Sequence, residues 1–289
     1  MSQNAIEIKS LRKSFSKFHL GPLDLKVPTG AIYGFVGPNG AGKTTTLDLL
    51  FGMGRRDGGS MQLLGLDSES DEVAIKQRVA YVSPDLNYQV WNKVKHAIQF
   101  ISGFYPTWDQ AYCDDLLRRF KIDAGERITA LSFGNKIKLS LVLALSRHPE
   151  LLILDEPTVG LDALSKREVF SQLLTLMQDE QHTVLVSSHN LADLERFTDH
   201  VGIINEGQMI LEGRTDEILA SHQQFDFNLS GELPHGGRIV SQEGTRYRVI
   251  TNDPSNYRQA LESNRATQIN QVALSLEELF VGLVEENAL

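Results

Sequence analysis

Apolar positions change their period along the chain. Ile6 and Ile8 alternate with polar neighbours, as do Leu23, Leu25 and Val27 ahead of the turn residues Pro28, Thr29 and Gly30. A period of two predicts strands with one buried face. Residues 31–36 form a short apolar run ending in a glycine-rich loop, and residues 44–51 return to helical spacing. Further strands are predicted at 61–66 and 79–82. From about 85 to 147 the spacing is helical, over 90–104, 108–120 and 136–145. Strands resume at 151–154 and 183–187 with a helix over 165–178 between them, followed by a helix at 191–197 and strands at 201–204 and 208–211. This alternation predicts a largely parallel sheet flanked by helices and interrupted by a helical insert.

The pattern changes after about 216. Phe225, Phe227 and Leu229 alternate, as do Tyr247, Val249 and Thr251. A helix at 256–262 and an alternating stretch at 268–273 follow. Ser275, Leu276, Glu277 and Glu278 open a last helix with a capping-box pattern. The predicted organisation is a main domain over 1–215, with a helical subdomain at about 85–147, and a small α+β appendage over 216–289.

Composition narrows the classes. The 289 residues are 41 % hydrophobic, ordinary for a globular chain, and no run approaches the roughly 18 to 20 apolar residues of a membrane span. Residues 1–4 show no basic stretch leading into an apolar core, so no signal peptide is expected. Cys113 is the single cysteine and cannot form an internal disulfide. A cytoplasmic protein is expected. The net charge of −9 argues against free nucleic acid as a main partner. It leaves room for a nucleotide, which needs only local positive potential.

Two motifs carry chemistry. Gly37, Pro38, Asn39, Gly40, Ala41, Gly42, Lys43, Thr44 and Thr45 match the phosphate-binding loop pattern between an apolar strand and a helix. Glycines let the loop backbone turn its N–H groups toward phosphate oxygens, and the helix directs its positive end to the same place. Lys43 is expected on the outer phosphates and the Thr44 hydroxyl on magnesium. The second motif is the apolar strand 151–154 ending in Asp155 and Glu156. Ligands in open α/β sheets bind beyond the carboxyl ends of strands. Asp155 is therefore expected to hold magnesium, directly or through water, and Glu156 to polarise the water that attacks the γ-phosphate.

Together these motifs resemble those of the ATP-binding cassette ATPases, the nucleotide-binding subunits of ABC transporters. The resemblance covers about residues 5–215. Leu131, Ser132, Phe133, Gly134 and Asn135 are similar to the family signature LSGGQ; Gly160, Leu161 and Asp162 to its D-loop; His189 to its switch histidine; and Phe15 to its adenine-stacking aromatic. The resemblance implies an α/β fold of the P-loop NTPase type with a mixed β-sheet core. It implies ATP with magnesium as bound species and ATP hydrolysis as the activity. In such a family ATP is sandwiched between two subunits, so that Ser132 and Gly134 of one copy face the phosphate loop of the other. A homodimer and a separate transmembrane permease are the implied partners, with the chain peripheral on the inner face of the cell membrane.

Two departures stand out. Phe133 replaces a signature glycine and Asn135 a glutamine, while Ser132 and Gly134 remain. Pro84 or Asp85, depending on the alignment, occupies the place of a family glutamine that contacts magnesium. Asp85 is read either as a replacement magnesium ligand, which suits a carboxylate, or as a turn or helix-capping residue. The aromatics Tyr88, Trp91, Phe100, Phe104, Tyr105 and Trp108 are read either as packing of the insert or as a groove for a membrane-subunit helix. The tail around Leu274–Phe280 is similar to that of bacterial drug, antibiotic and polysaccharide exporters and points to export. The alternative class is a soluble cassette ATPase acting on ribosomes or nucleic acid. Against it, the chain has one cassette rather than two, and no sustained heptads.

Overall fold

The computed structural model describes residues 4–85, 87–177 and 182–284, so the expectations that rest on residues 1–3 and 178 lie outside the described residues. The chain divides into two compact units, Met1–His189 with Ile204–Met209, and Asn190–Ile203 with Ile210–Leu289.

The first unit opens with a hairpin of β1 (Asn4–Ser14) and β2 (His19–Pro28), which pair antiparallel with Ile6 opposite Val27 and Ile8 opposite Leu25. Next come β3 (Ile32–Val36), α1 (Lys43–Leu50), β4 (Gly58–Leu63) and β5 (Leu66–Asp67). The strand expected at 61–66 is therefore a hairpin. Leu64 and Gly65 both have left-handed backbones, φ 52° and 79°, and reverse the chain between β4 and β5. The order of this first sheet is β2-β1-β4-β5.

The chain then builds α2 (Glu72–Arg78), which sequence spacing missed, and β6 (Val79–Val82). The insert contributes α3 (Val94–Ser102), α4 (Gln110–Arg119) and α5 (Phe133–Leu145). The helix expected over 90–104 begins only at Val94. Gln89–Trp91 is a 3-10 turn and Asn92 takes φ 61°, which breaks helical propagation. Asp109 caps α4 by accepting the Tyr112 N–H at 2.9 Å. After the insert come β7 (Leu151–Leu154), α6 (Ala163–Leu176) and β8 (Thr183–Ser188).

Strands β3, β8, β7 and β6 lie side by side and parallel. Every residue of all four is buried, the composition of a sheet covered on both faces. The core cluster joins Ile6, Ile8 and Leu25 of the hairpin to Leu47 and Leu50 of α1 and to Phe35 and Ile153 of the parallel strands. Helix α1 is thus fixed between the hairpin and the parallel strands, which sets where the loop ahead of it can lie. The end of the hairpin formed by β9 (His200–Asn205) and β10 (Gln208–Arg214) also belongs to this unit.

The second unit contains α7 (Leu191–Leu194), α8 (Thr215–Ser221), β11 (Gln223–Asn228), β12 (Arg238–Glu243), β13 (Arg246–Thr251), α9 (Pro254–Ser263), β14 (Thr267–Ala273) and α10 (Leu276–Val284). Its sheet is antiparallel in the order β12-β13-β11-β14. Phe225, Phe227 and Val249 bury one face against Tyr257 and Leu261 of α9. Helix α10 lies close to Ile250: a β-carbon on Gly282 would fall 2.3 Å from Ile250 Cδ1. The capping box forms as predicted, with the Ser275 N–H and hydroxyl both donating to Glu278 at 2.8 Å.

Candidate active site

The loop after β3 is shaped by lack of space. A β-carbon on Gly37 would sit 2.2 Å from the Ile204 carbonyl oxygen. Gly42, at φ 108°, caps the start of α1 with Leu20 and Phe18 close beside it. Lys43 is buried, and its Nζ donates to the carbonyls of Gly37 at 2.7 Å and Pro38 at 3.3 Å. The Nζ also lies 3.6 Å from Glu156 Oε1.

The end of β7 lies beside this loop. Asp155 is only 3 % exposed and accepts the Ser187 hydroxyl proton at 2.6 Å. The same Ser187 oxygen accepts the Glu156 N–H at 3.0 Å. Glu156 has a left-handed backbone, φ 46°, an arrangement that costs a non-glycine residue about 1–3 kcal/mol and gathers at functional sites. Its Oε2 lies 2.8 Å from His189 Nδ1. The carboxylate is held between the loop lysine and the histidine that follows β8.

A cavity of about 470 Å³ opens here, lined by Asn39, Gly40, Gly42, Lys43, Thr44, Thr45 and Glu156, and by Lys17 and Phe18. Phe15, the expected aromatic, is half exposed beside Phe18 with ring centroids 6.4 Å apart. Sequence reasoning missed Phe18, Lys17 and Ser187. The first two are near neighbours of Phe15, and the role of Ser187 emerges only from the pairing of β7 with β8.

A third carboxylate completes the corner. Asp48, one turn along α1 from Thr44, accepts the Tyr81 hydroxyl at 2.9 Å. Burial raises its pKa, the charges of Asp155 and Asp85 raise it further, and the Tyr81 bond opposes them. Asp85 is exposed, with its N–H on the Ser83 hydroxyl at 3.3 Å. It lines a different cavity with Phe133 and Lys136.

Ser132, Gly134 and Asp162 do not line the phosphate-loop cavity. Ser132 caps α5, accepting the Asn135 N–H at 3.2 Å. Asp162 caps α6 by accepting the Ser165 N–H at 3.0 Å, which with the Ser165 hydroxyl holds its pKa down. The two caps interlock: a β-carbon on Gly134 would fall 2.8 Å from Leu161, and one on Gly160 would fall 2.9 Å from the Phe133 ring.

A strand, a glycine loop with a buried lysine, and paired carboxylates at the end of β7, one strand beyond β8, define a phosphate-loop nucleotide-binding enzyme. Comparison with known proteins makes this specific. The family model described as ABC transporter matches residues 20–159. The chain is 33 % identical over 227 residues to the Nod factor export ATP-binding protein I of Burkholderia orbicola (strain AU 1054), covering 76 % of this chain and 74 % of that one. It is 30 % identical over 213 residues to the bacitracin transport ATP-binding protein BcrA of Bacillus licheniformis, covering 73 % and 70 %. It is 27 % identical over 283 residues to the ABC transporter ATP-binding protein YtrB of Bacillus subtilis (strain 168), covering 96 % and 97 %. Among solved structures, an ATP-binding subunit of an ABC transporter matches with a TM-score of 0.66 at 24 % identity, over 75 % of this chain and 92 % of that one. A dimeric post-hydrolysis cassette bound to ADP and Pi matches at 0.62 and 18 %, over 73 % and 98 %.

The chain belongs to the ABC transporter family, as the nucleotide-binding, ATP-hydrolysing subunit. Such subunits dimerise and work with membrane permease components. Among the described residues, no helix of this chain is long and apolar enough to cross a membrane.

Proposed function

We propose that two copies of this chain close on two ATP molecules and drive export through a separate transmembrane permease, with the chain on the cytoplasmic face of the membrane. Glu156 carries the proposal. Lys43, His189 and the Ser187 hydroxyl fix it at the cavity of the phosphate loop, where a carboxylate can orient and deprotonate the attacking water. Lys43 exchanges the Gly37 and Pro38 carbonyls for phosphate oxygens, and His189 orients Glu156 and reaches the γ-phosphate. The rings of Phe15 and Phe18 offer faces for the adenine. Ser132 and Gly134, with Asp162 beside them, complete the site of the opposite copy.

The donor set suits magnesium. Thr44 and Asp155 offer oxygen only, and Asp48, whose pKa is raised by burial and then by the charges of Asp155 and Asp85, adds a carboxylate to the same corner. Magnesium keeps several waters and takes ligands from phosphates, so one or two protein oxygens suffice. Thr44 and Asp155 would hold the ion, which would supply positive charge against the outer phosphates. Asp85 either adds a water-mediated contact or remains a turn residue, and magnesium-dependent kinetics of Asp85→Ala separate the two.

The relatives named for bacitracin transport and Nod factor export favour export as the direction of transport, of a cargo chosen by the permease. Exposed Phe100 packs between Trp91 and exposed Phe104, and we assign this aromatic row to contact with the permease. Glu156→Gln is expected to lower steady-state ATP turnover by about 10² to 10⁴ fold while preserving ATP binding, and to trap an ATP-dependent dimer on size-exclusion chromatography. Turnover within a factor of two of wild type would remove Glu156 from the role of base.

A further inference from the structure

Three charged residues line the cavity of the phosphate loop: Lys17, Lys43 and Glu156. Lys43 is buried, and Glu156 lies 3.6 Å from its Nζ. Lys17 is exposed and, among the described residues, pairs with no carboxylate. Its neighbour Lys13, by contrast, is taken by Asp57 at 3.0 Å. The position of Lys17 is set by the backbone. The Phe15 N–H donates to the Phe18 carbonyl at 2.8 Å, which closes the hairpin of β1 and β2 over Ser16 and Lys17. Phe18 in turn lies against the phosphate loop, since a β-carbon on Gly42 would fall 3.0 Å from its ring carbon Cζ. The hairpin end is thereby fastened to the loop, and Lys17 is kept at the cavity although its side chain is exposed.

We propose that Lys17 is a nucleotide-binding residue whose ammonium pairs with the α-phosphate, an assignment that rests on the reading that ATP occupies the phosphate-loop cavity. A triphosphate carries more negative charge than one magnesium ion cancels. On the cavity wall Glu156 offsets Lys43, so Lys17 is the cation that no acid offsets. Its neighbours select the phosphate. Lys17 stands in the turn between Phe15 and Phe18, the rings offered to the adenine, so the phosphate next to the nucleoside falls within the span of its stem. Lys43, at the Glu156 end, serves the outer phosphates. A contact to the α-phosphate is the same for ATP, ADP and AMP. It strengthens the binding of all three and does not single out the transition state.

The test measures the binding of ligands that are not turned over. ADP, AMP and adenosine compete with a fluorescent ADP analogue on the full chain. Lys17→Ala should raise the dissociation constants of ADP and AMP alike by about tenfold, the scale of one charge-assisted hydrogen bond, and leave that of adenosine unchanged. The factor should shrink as salt is raised, and Lys17→Arg should restore binding. Because Lys17 is exposed at the hairpin end, the thermal midpoint should stay that of wild type. Equal weakening of adenosine, weakening of ADP without AMP, or no weakening of either would each overturn the assignment. Lys43→Ala distinguishes that failure from a failure of the site itself. If ADP bound as tightly without the Lys43 side chain as with it, the nucleotide would lie outside this cavity and the role of Lys17 would fall with it.

Discussion

Ser187 binds both members of the acidic pair: its hydroxyl donates to Asp155 and its oxygen accepts the Glu156 N–H. The side chain has no exposure, so water cannot substitute for it easily. Ser187→Ala leaves a buried carboxylate oxygen and a backbone N–H without partners, at a cost of about 1–3 kcal/mol. If it positions Glu156, kcat should fall while KM for ATP changes little; a rise in KM alone would confine its role to binding. Asp48 offers a second test. Burial and neighbouring carboxylates raise its pKa, so the folded chain holds this proton more tightly than the unfolded chain does. Its contribution to stability is full below the ordinary carboxylate pKa of about 4 and is lost as pH rises through the raised value. Asp48→Asn keeps an acceptor for Tyr81 and removes the charge. Thermal melts should show the variant gaining on wild type at neutral pH, with the gain shrinking toward about pH 4. A gain that does not vary with pH would rule out the charge as its source.

Elements were legible in the sequence where one physical rule decided them. The fully apolar strands β3 and β7 could be nothing else at that length, and the glycine loop between β3 and α1 has its own spacing rule. Elements settled by their neighbours were not legible. Helix α2 has seven residues of which only Ile75 is buried, too little apolar surface for a helical period. The hairpin of β4 and β5 turns on a left-handed Leu64, a conformation that leucine does not announce. The site divides in the same way. Lys43, Thr44, Asp155 and Glu156 stand in recognisable strings, whereas Ser187 and Asp48 meet them only through the pairing of strands and the turn of a helix. Arg147 belongs to the hidden class. It follows α5, buried at 6 % exposure, and donates to the carbonyls of Lys76 at 2.7 Å and Val79 at 2.5 Å. Its guanidinium lies 3.7 Å from the Tyr105 ring centre. One side chain thus ties the end of α5, the end of α2 with the start of β6, and Tyr105 together. Arg147→Ala is expected to cost about 2–3 kcal/mol, the scale of a buried polar group left unpaired, as a lower denaturant midpoint with an unchanged slope.

At the scale of the molecule, each unit has its own apolar core. One gathers around Phe35, Leu47 and Ile153 and the other around Phe225, Phe227 and Tyr257. Cores of separate membership permit separate cooperative transitions, because a multi-domain chain need not unfold in one step. All the residues assigned to the phosphate-loop cavity, from Lys17 to Glu156, belong to the first unit. A ligand that binds only the folded form stabilises it by RT ln(1 + [L]/Kd), about 2.7 kcal/mol at one hundred times Kd. Calorimetry of Glu156→Gln, which is expected to hold ATP without consuming it if Glu156 is the base proposed above, should therefore resolve two transitions. ATP should move one of them upward with its concentration and leave the other in place. Lys43→Ala should abolish the shift without changing the second transition. A single transition that moves as a whole would mean that the two cores unfold as one cooperative body, and nucleotide binding would then stabilise the C-terminal sheet as strongly as the phosphate loop.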